Sequence, residues 1–445
     1  LTPGLQDAMA RESLADIRAS VRADGSVIFL APHTVDGSAV LPSSLLRTVP
    51  VQETSTPWRS LDPSVNVLLG ERDRRIRTKT PILMDTSQEG VVLAALAPSE
   101  RELFEHDLLR PVSPSRLDVV AACPFRYLSQ KLLRLDEVRA SDDKLTPIER
   151  GNILHEVARR FYRTQQPEGC DLTTLEGIRA AGVDLRGVPF ETSWQRLCAI
   201  LDQVLGTAST DHTFASVERQ ALVGTVTKPG LLHRWLAREI DDQERTGFLP
   251  VFLEQEIECD ITVPTDAGPL TVPVKVRIDR IDVCVEGDKV LFVVNDYKTS
   301  IDATKHGRRP IVEGRATQMP LYVAAVRNHL GSLGIEAVPS GAVYRAFGNA
   351  LRSPEKVDRK VVLASEGSTI ADISKLEGEW VELSLETQIE NILGRISVHV
   401  SAMRAGSYPV RPFGRVCDQC DYSEFCRIDH WGSIPHPSTE DEDEA

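Results

Sequence analysis

The sequence has no G-x-x-x-x-G-K-[ST] segment, so the chain carries no phosphate-gripping P-loop and no nucleotide-driven motor of its own. No apolar run approaches the roughly 18 residues that a membrane span requires. The opening residues, Leu1-Thr2-Pro3-Gly4, show neither an initiator Met nor a secretory pattern, and they read as the cut edge of a longer protein. A cytoplasmic protein with no membrane partner is therefore expected. No internal repeat occurs, which removes solenoid architectures. Positive charge in excess is also missing: 51 Lys and Arg stand against 65 Asp and Glu, a net charge of −14. That balance argues against bulk coating of nucleic acid and leaves room only for a local basic groove.

What is present is an ordinary soluble composition, 41% hydrophobic and 26% charged over 445 residues, enough for one large core or a few smaller ones. Three stretches are expected: 1–110, 111–432 and an acidic tail, 433–445. In the first, Ser26-Val27-Ile28-Phe29-Leu30 reads as a short buried strand, and Arg72, Arg74, Arg75, Arg77 and Lys79 read as a solvated surface or a DNA contact. In the second, Ser113-Pro114 opens a helix with Leu117, Val120 and Ala121 on one face, ending near Cys123-Pro124. Thr146-Pro147-Ile148-Glu149 is a capping box. The helix it starts has Leu154, Val157, Ala158 and Phe161 along one stripe and His155 at the edge of that stripe. Residues 165–250 read as a largely helical insertion. Strands are expected at Val251–Val263, Val272–Asp279 and Val290–Asp296, the last two joined at Glu286-Gly287-Asp288, with helices at Ala316–Leu330 and Trp380–Met403. The tail run Glu440-Asp441-Glu442-Asp443-Glu444 reads as a solvated, disordered end.

Chemistry-bearing residues cluster around Asp296-Tyr297-Lys298. Side chains two apart on a strand share a face, so Asp296 and Lys298 project together and Tyr297 turns away. A carboxylate there can hold Mg2+, and the ammonium beside it can position water or stabilise charge on a phosphorane. Asp279, placed at the end of the preceding strand, supplies a second carboxylate, and His155 is a further candidate ligand. The bland alternative is a polar strand end and a hydrogen-bonded core histidine. Gln318 and Tyr322, at i and i+4 on one helix face, are candidate DNA contacts or a plain surface pair.

Eight cysteines in a chain of this length do not make a secreted disulfide scaffold. Cys170, Cys198, Cys259 and Cys284 are scattered. The other four are patterned: Cys417-x2-Cys420-x5-Cys426 follows almost the whole of the second stretch, and Cys123 precedes it. Zinc is one occupant for four thiolates, but zinc ribbons pair two Cys-x2-Cys knuckles. One cysteine before a domain and three after it suits a [4Fe–4S] cluster stapling the two ends together.

These motifs carry a resemblance. Ser113-Pro114-Ser115-Arg116-Leu117, Cys123-Pro124-Phe125-Arg126, Gly151-Asn152-Ile153-Leu154-His155, Arg277-Ile278-Asp279-Arg280-Ile281-Asp282, Asp296-Tyr297-Lys298-Thr299 and Gln318-Met319-Pro320-Leu321-Tyr322 follow one another as in the RecB-type nucleases of the PD-(D/E)xK superfamily. The C-x2-C-x5-C ending resembles the iron–sulfur subset, which includes the AddB component of bacterial helicase–nucleases and the CRISPR adaptation exonucleases. The resemblance covers about 111–430. It implies an α/β fold, a restriction-endonuclease-like mixed central sheet flanked by helices, here with a helical insertion and an iron–sulfur staple. It implies His155, Asp279, Asp296 and Lys298 at the metal and catalytic positions, with Glu254 (or Glu256) as an extra acidic ligand. Residues 26–46 weakly resemble the last helicase segment ahead of such a nuclease. Three departures stand out: Val276 and Ser300 where the family has Gly, and Asn295 where it has an apolar residue.

The expected function is a Mg2+- or Mn2+-dependent deoxyribonuclease, an exonuclease acting on a single strand or duplex end in double-strand break repair, working with a helicase motor. The rivals are a non-catalytic iron–sulfur DNA-binding scaffold and a stand-alone CRISPR-adaptation-type exonuclease.

Overall fold

The structure is a computed structural model and describes residues 34–35, 38–39, 110–135, 147–208, 212–225, 227–265, 268–299, 301, 307–347, 359–364, 370, 383–413, 416–422 and 426. The chain divides into two compact units, Leu1–Thr78 and Lys79–Ala445. In the first, β1 (Thr34–Val35) pairs antiparallel with β2 (Ser38–Ala39). The strand expected at 26–30, the basic stretch around 72–79 and the acidic tail lie outside the described residues.

Among the described residues, the second unit is built on five strands: β3 (Leu249–Val263), β4 (Leu270–Glu286), β5 (Lys289–Lys298), β6 (Glu336–Ala346) and β7 (Arg359–Ala364). Their spatial order is sequential, with β5 and β6 parallel and the other neighbours antiparallel. This is a mixed sheet. The run Val290–Tyr297 of β5 is buried almost throughout, as expected of a strand covered on both faces. At the sheet edge, Ile257, Ile261 and Val263 of β3 are buried while Glu256, Glu258, Asp260 and Thr262 alternate with them in solvent. Charged residues on an edge strand discourage pairing with other chains. Gly287 and Asp288 make the tight turn from β4 to β5, and Gly287 has φ 60°, where a side chain would be strained.

Helices cover both faces. Across β5 to β6 run α8 (Arg308–Val312) and α9 (Gln318–Ser332), α9 packing on the sheet together with α1 (Pro114–Ala122) and α10 (Leu385–Arg404). Ser113 holds the N-cap position of α1 without a side-chain cap bond, and Leu117, Val120 and Ala121 are buried as the spacing required. A short α2 (Pro124–Tyr127) follows directly. The stripe on α3 (Pro147–Arg163) is also buried: Leu154, Val157, Ala158 and Phe161 pack into a second core. That core is completed by the insertion, which is helical as expected: α4 (Leu175–Ala180), α5 (Phe190–Ala208), α6 (His212–Val223) and α7 (Leu231–Thr246). Tyr297 of β5 and Phe347 beyond β6 belong to the same core, so the insertion packs directly behind the Asp296–Lys298 strand end.

Two boundaries differ from the sequence reading by more than two residues. Helix α10 starts at Leu385, where the Ser384 hydroxyl accepts from the Thr387 amide at 3.2 Å. Strand β4 does not stop at Asp279 but runs seven residues further, to Glu286. Arg280 and Asp282 look like the polar end of a strand. Both are buried, because they neutralise each other and distant partners: Arg280 Nε donates to Asp282 Oδ1 at 2.6 Å, and Arg280 Nη1 to Glu239 Oε2 of α7 at 2.5 Å. Asp279 therefore lies mid-strand.

Candidate active site and cysteine pocket

Strand β4 places Asp279 next to β5, one step beyond the Arg280–Asn295 pair, so that it stands beside Asp296. Its Oδ2 accepts from the Tyr297 amide at 2.7 Å. Strand β3 brings in Glu254, whose neighbours Leu253 and Gln255 pair with Arg280 and Ile278 and so set it opposite Asp279. Glu254 has φ 50°, a left-handed backbone that costs a non-glycine residue about 1–3 kcal/mol. Glu256, equally eligible by parity, is exposed. Helix α3 lowers His155 onto this pair: His155 Nδ1 is 3.6 Å from Asp279 Oδ1 and 3.9 Å from Glu254 Oε1, and Nε2 lies 3.1 Å from the Tyr297 carbonyl oxygen. Among the described residues, His155, Glu254 and Asp279 form the group whose ligand atoms all lie within 4.8 Å of one another.

Asp296 and Lys298 share a face, as the two-residue period requires. Asp296 is buried, and its Oδ2 lies 2.6 Å from Lys298 Nζ as an ion pair that no aligned hydrogen bond accompanies. Burial pushes the Asp296 carboxyl up to about 7; the Lys298 ammonium opposes that rise and the Asp279 carboxylate adds to it. For His155, burial opposes the charged ring, but the carboxylates of Asp279 and Glu254 outweigh it and push the imidazole up to about 10. Glu254 and Asp279 thus meet at His155, while Asp296 stands next to them with its oxygens turned to Lys298 and Gln318, outside that ligand group. Such an acidic pocket with a strained ligand fits a hard divalent ion.

Gln318 and Tyr322 join this site rather than an outer surface. Gln318 Nε2 donates to Asp296 Oδ1 and to the Tyr322 hydroxyl, both at 2.8 Å, while its Oε1 accepts from Lys298 Nζ at 3.1 Å. Tyr322 is buried. The sequence reading missed what holds this helix. Thr317, at the start of α9, donates through its amide and hydroxyl to Asp118 Oδ1 of α1 at 2.6 and 2.8 Å. Burial pushes the Asp118 carboxyl up, while Thr317 and the Lys298 charge pull it down. Nothing near Asp118 in the sequence marks it, since its partner lies 199 residues away.

Of the departures, Val276 is simply buried core, and Ser300 lies outside the described residues. Asn295 is fully buried and accepts from Arg345 Nε of β6 at 2.6 Å. Arg345 also reaches Glu239 Oε1 at 3.2 Å and Asp242, so the polar Asn is absorbed by a buried charge network.

At the C-terminal end of α1, Cys123, Cys417, Cys420 and Cys426 line one pocket with Phe125, Arg126 and Tyr422. Backbone bonds fasten the chain ends around it: Phe125 N donates to Pro409 O at 3.2 Å and Phe413 N to Ala122 O at 2.9 Å. Burial pushes the Cys123 thiol up, opposed by the backbone amides of Arg126, Arg411 and Phe125, donors of the kind that stabilise a thiolate. Among the described residues no three of these sulfurs fall within 4.8 Å of one another.

A mixed sheet whose β4 and β5 carry acid, acid and lysine beside a helical histidine defines a nuclease class, and the sequence matches the PD-(D/E)XK nuclease superfamily over residues 111–427. The chain belongs to that superfamily. More particularly, it is 26% identical over 385 residues to an ATP-dependent helicase/deoxyribonuclease component of Moorella thermoacetica, covering 75% of this chain and 31% of that protein. The protein of the same name from Carboxydothermus hydrogenoformans is 21% identical over 367 residues, 72% of this chain and 31% of its own length. That of Lacticaseibacillus casei is 29% identical over 252 residues, 55% of this chain and 19% of its own. The chain spans less than a third of the length of these curated relatives. Among the described residues no helix is long and apolar enough to cross a membrane.

Proposed function

We propose that residues 111–432 are a Mg2+- or Mn2+-dependent deoxyribonuclease that hydrolyses DNA strands during end processing, as the nuclease part of a helicase–nuclease. The observation that carries this reading is the convergence of His155, Glu254 and Asp279 beside the Asp296–Lys298 pair. Glu254, Asp279 and Asp296 would hold the ion with His155. A divalent ion there supplies Lewis-acid polarisation of a phosphodiester and a nucleophilic water. Lys298, kept in place by Asp296 and Gln318, neutralises charge that builds on the phosphorus oxygens. Thr317 and Asp118 tie the start of α9 to α1, and Gln318 of that helix accepts from the Lys298 head. The names of the relatives support DNA as substrate and a helicase partner. The test is cleavage of end-labelled single-stranded and duplex DNA. Cutting is expected in Mg2+ and none in EDTA. In Ca2+ binding without cutting is expected, because its loose coordination replaces a tight octahedral site. Cutting at the same rate in EDTA contradicts the proposal.

The cysteine pocket is proposed to hold a [4Fe–4S] cluster through Cys123, Cys417, Cys420 and Cys426. Its part is structural: it would cross-link the end of α1 to the C-terminal segment. Protein purified without oxygen is expected to be brown, absorbing near about 400 nm with roughly four irons per chain. Cys417→Ala is expected to bleach it and lower the melting temperature. Iron-free protein with one tightly bound zinc, measured by elemental analysis, contradicts the assignment.

A further inference from the structure

Arg277 stands at the lip of the candidate metal site and has no role in the chemistry above. It is two residues before Asp279 on β4, so both side chains use the same face, about 6.7 Å apart along the strand. Its register partner across the sheet is Glu256, yet its ion pair is with Glu254: Arg277 Nε donates to Glu254 Oε2 at 2.8 Å. The two partners differ sharply in exposure, with the Arg277 side chain 63% exposed and that of Glu254 15%. The other oxygen of Glu254 faces His155. Arg159 lies close enough to feel the Glu254 charge, but it is committed to Glu156 through bonds of 2.7 and 2.8 Å.

The charge count gives this arrangement a consequence. Three carboxylates, Glu254, Asp279 and Asp296, face three basic side chains, His155, Lys298 and Arg277. A divalent ion taking up the carboxylates leaves the site with surplus positive charge. Arg277 is the basic member on an exposed stem, free to swing away. We infer that Arg277 is a phosphate-binding residue held in reserve. It occupies Glu254 while the site is empty of metal, and it passes to a non-bridging phosphate oxygen of the DNA backbone once an ion claims that carboxylate. Arginine suits the exchange because its planar fork binds carboxylate and phosphate in the same geometry. Metal and DNA would then support each other at this site, since each relieves a charge conflict that the other creates.

The inference rests on the nuclease reading, and the experiment separates the two. Mn2+ affinity without DNA is measured by calorimetry for the wild type, Arg277→Gln, Arg277→Lys and Asp279→Ala. DNA affinity is measured in Ca2+ across a salt series. Arg277→Gln is expected to bind Mn2+ about two- to fivefold more tightly, as loss of a competing exposed ion pair allows. It is expected to bind DNA more weakly, with the salt slope reduced by about one. Arg277→Lys is expected to restore most of the DNA affinity and the slope. Unchanged affinities in Arg277→Gln, or metal and DNA binding falling together, overturn the inference and leave the nuclease reading intact. Failure of the wild type to bind Mn2+, or an Asp279→Ala variant that binds it as well as the wild type, overturns both.

Discussion

Replacing Asp296 by Ala is expected to reduce strand cleavage to background while fold, colour and DNA binding persist. The carboxylate is one of three that converge on the site, and no neighbouring group can take its place: Gln318 donates to it and Lys298 is its counter-ion. Removing it lowers metal affinity and also lowers repulsion of phosphate, so DNA binding measured in Ca2+ holds steady or strengthens. The stability effect has an unusual sign. The folded Asp296 carboxyl is raised from 3.8 to about 7, so the folded state binds a proton more readily than the unfolded state. Stability therefore falls as pH rises from about 4 through 7. The metal-free Asp296→Asn variant is expected to melt no lower than wild type at pH 8, checked by thermal scans in EDTA. Lys298→Ala behaves differently. Metal stays bound, and turnover drops by about 10^2 or more, as for loss of one electrostatic contact to the transition state.

The largest stability effect is expected at Glu239. This side chain is buried in α7 and accepts from the Tyr162 hydroxyl at 2.6 Å, from Arg280 Nη1 at 2.5 Å and from Arg345 Nη1 at 3.2 Å. Truncation leaves the buried Tyr162 hydroxyl without its acceptor and takes one carboxylate from two buried guanidiniums, which keep Asp282 and Asp242. Breaking a buried pair from one side costs about 3–5 kcal/mol, measurable as a lower denaturant midpoint for Glu239→Ala. Burial alone would raise this carboxyl, but Arg280 and Arg345 prevail and hold it at about 2, below the ordinary 4.5. A depressed carboxyl contributes its stability above the unfolded value and loses it as pH falls towards about 2. The gap between wild type and Glu239→Gln should therefore narrow on acidification below about 4.5. The Tyr297 hydroxyl also accepts from Arg280, at 2.7 Å, so the same network braces the strand that carries Asp296 and Lys298.

Local pattern made part of this legible. The α3 stripe placed His155 at its edge, the strand period put Asp296 and Lys298 on one face, and the helix period joined Gln318 to Tyr322. What the sequence hid is non-local. Arg280 and Asp282 read as a strand end because Glu239 and Arg345, which neutralise them, lie 41 and more residues away. Asp118 carries no local signal, because its partner, Thr317, lies 199 residues away. Glu254 and Glu256 have the same parity on a regular strand, and only the left-handed backbone at Glu254 separates them. The four patterned cysteines, expected together from their spacing, do line one pocket.

The central claim is metal-dependent hydrolysis of DNA at Asp296, and the most direct test is the rate at which wild type and Asp296→Ala, purified in parallel, cut end-labelled DNA in Mg2+. Steady cleavage by the wild type and none above background by the variant are expected, with matching circular dichroism. Equal cleavage by both proteins would place the active site elsewhere and contradict it.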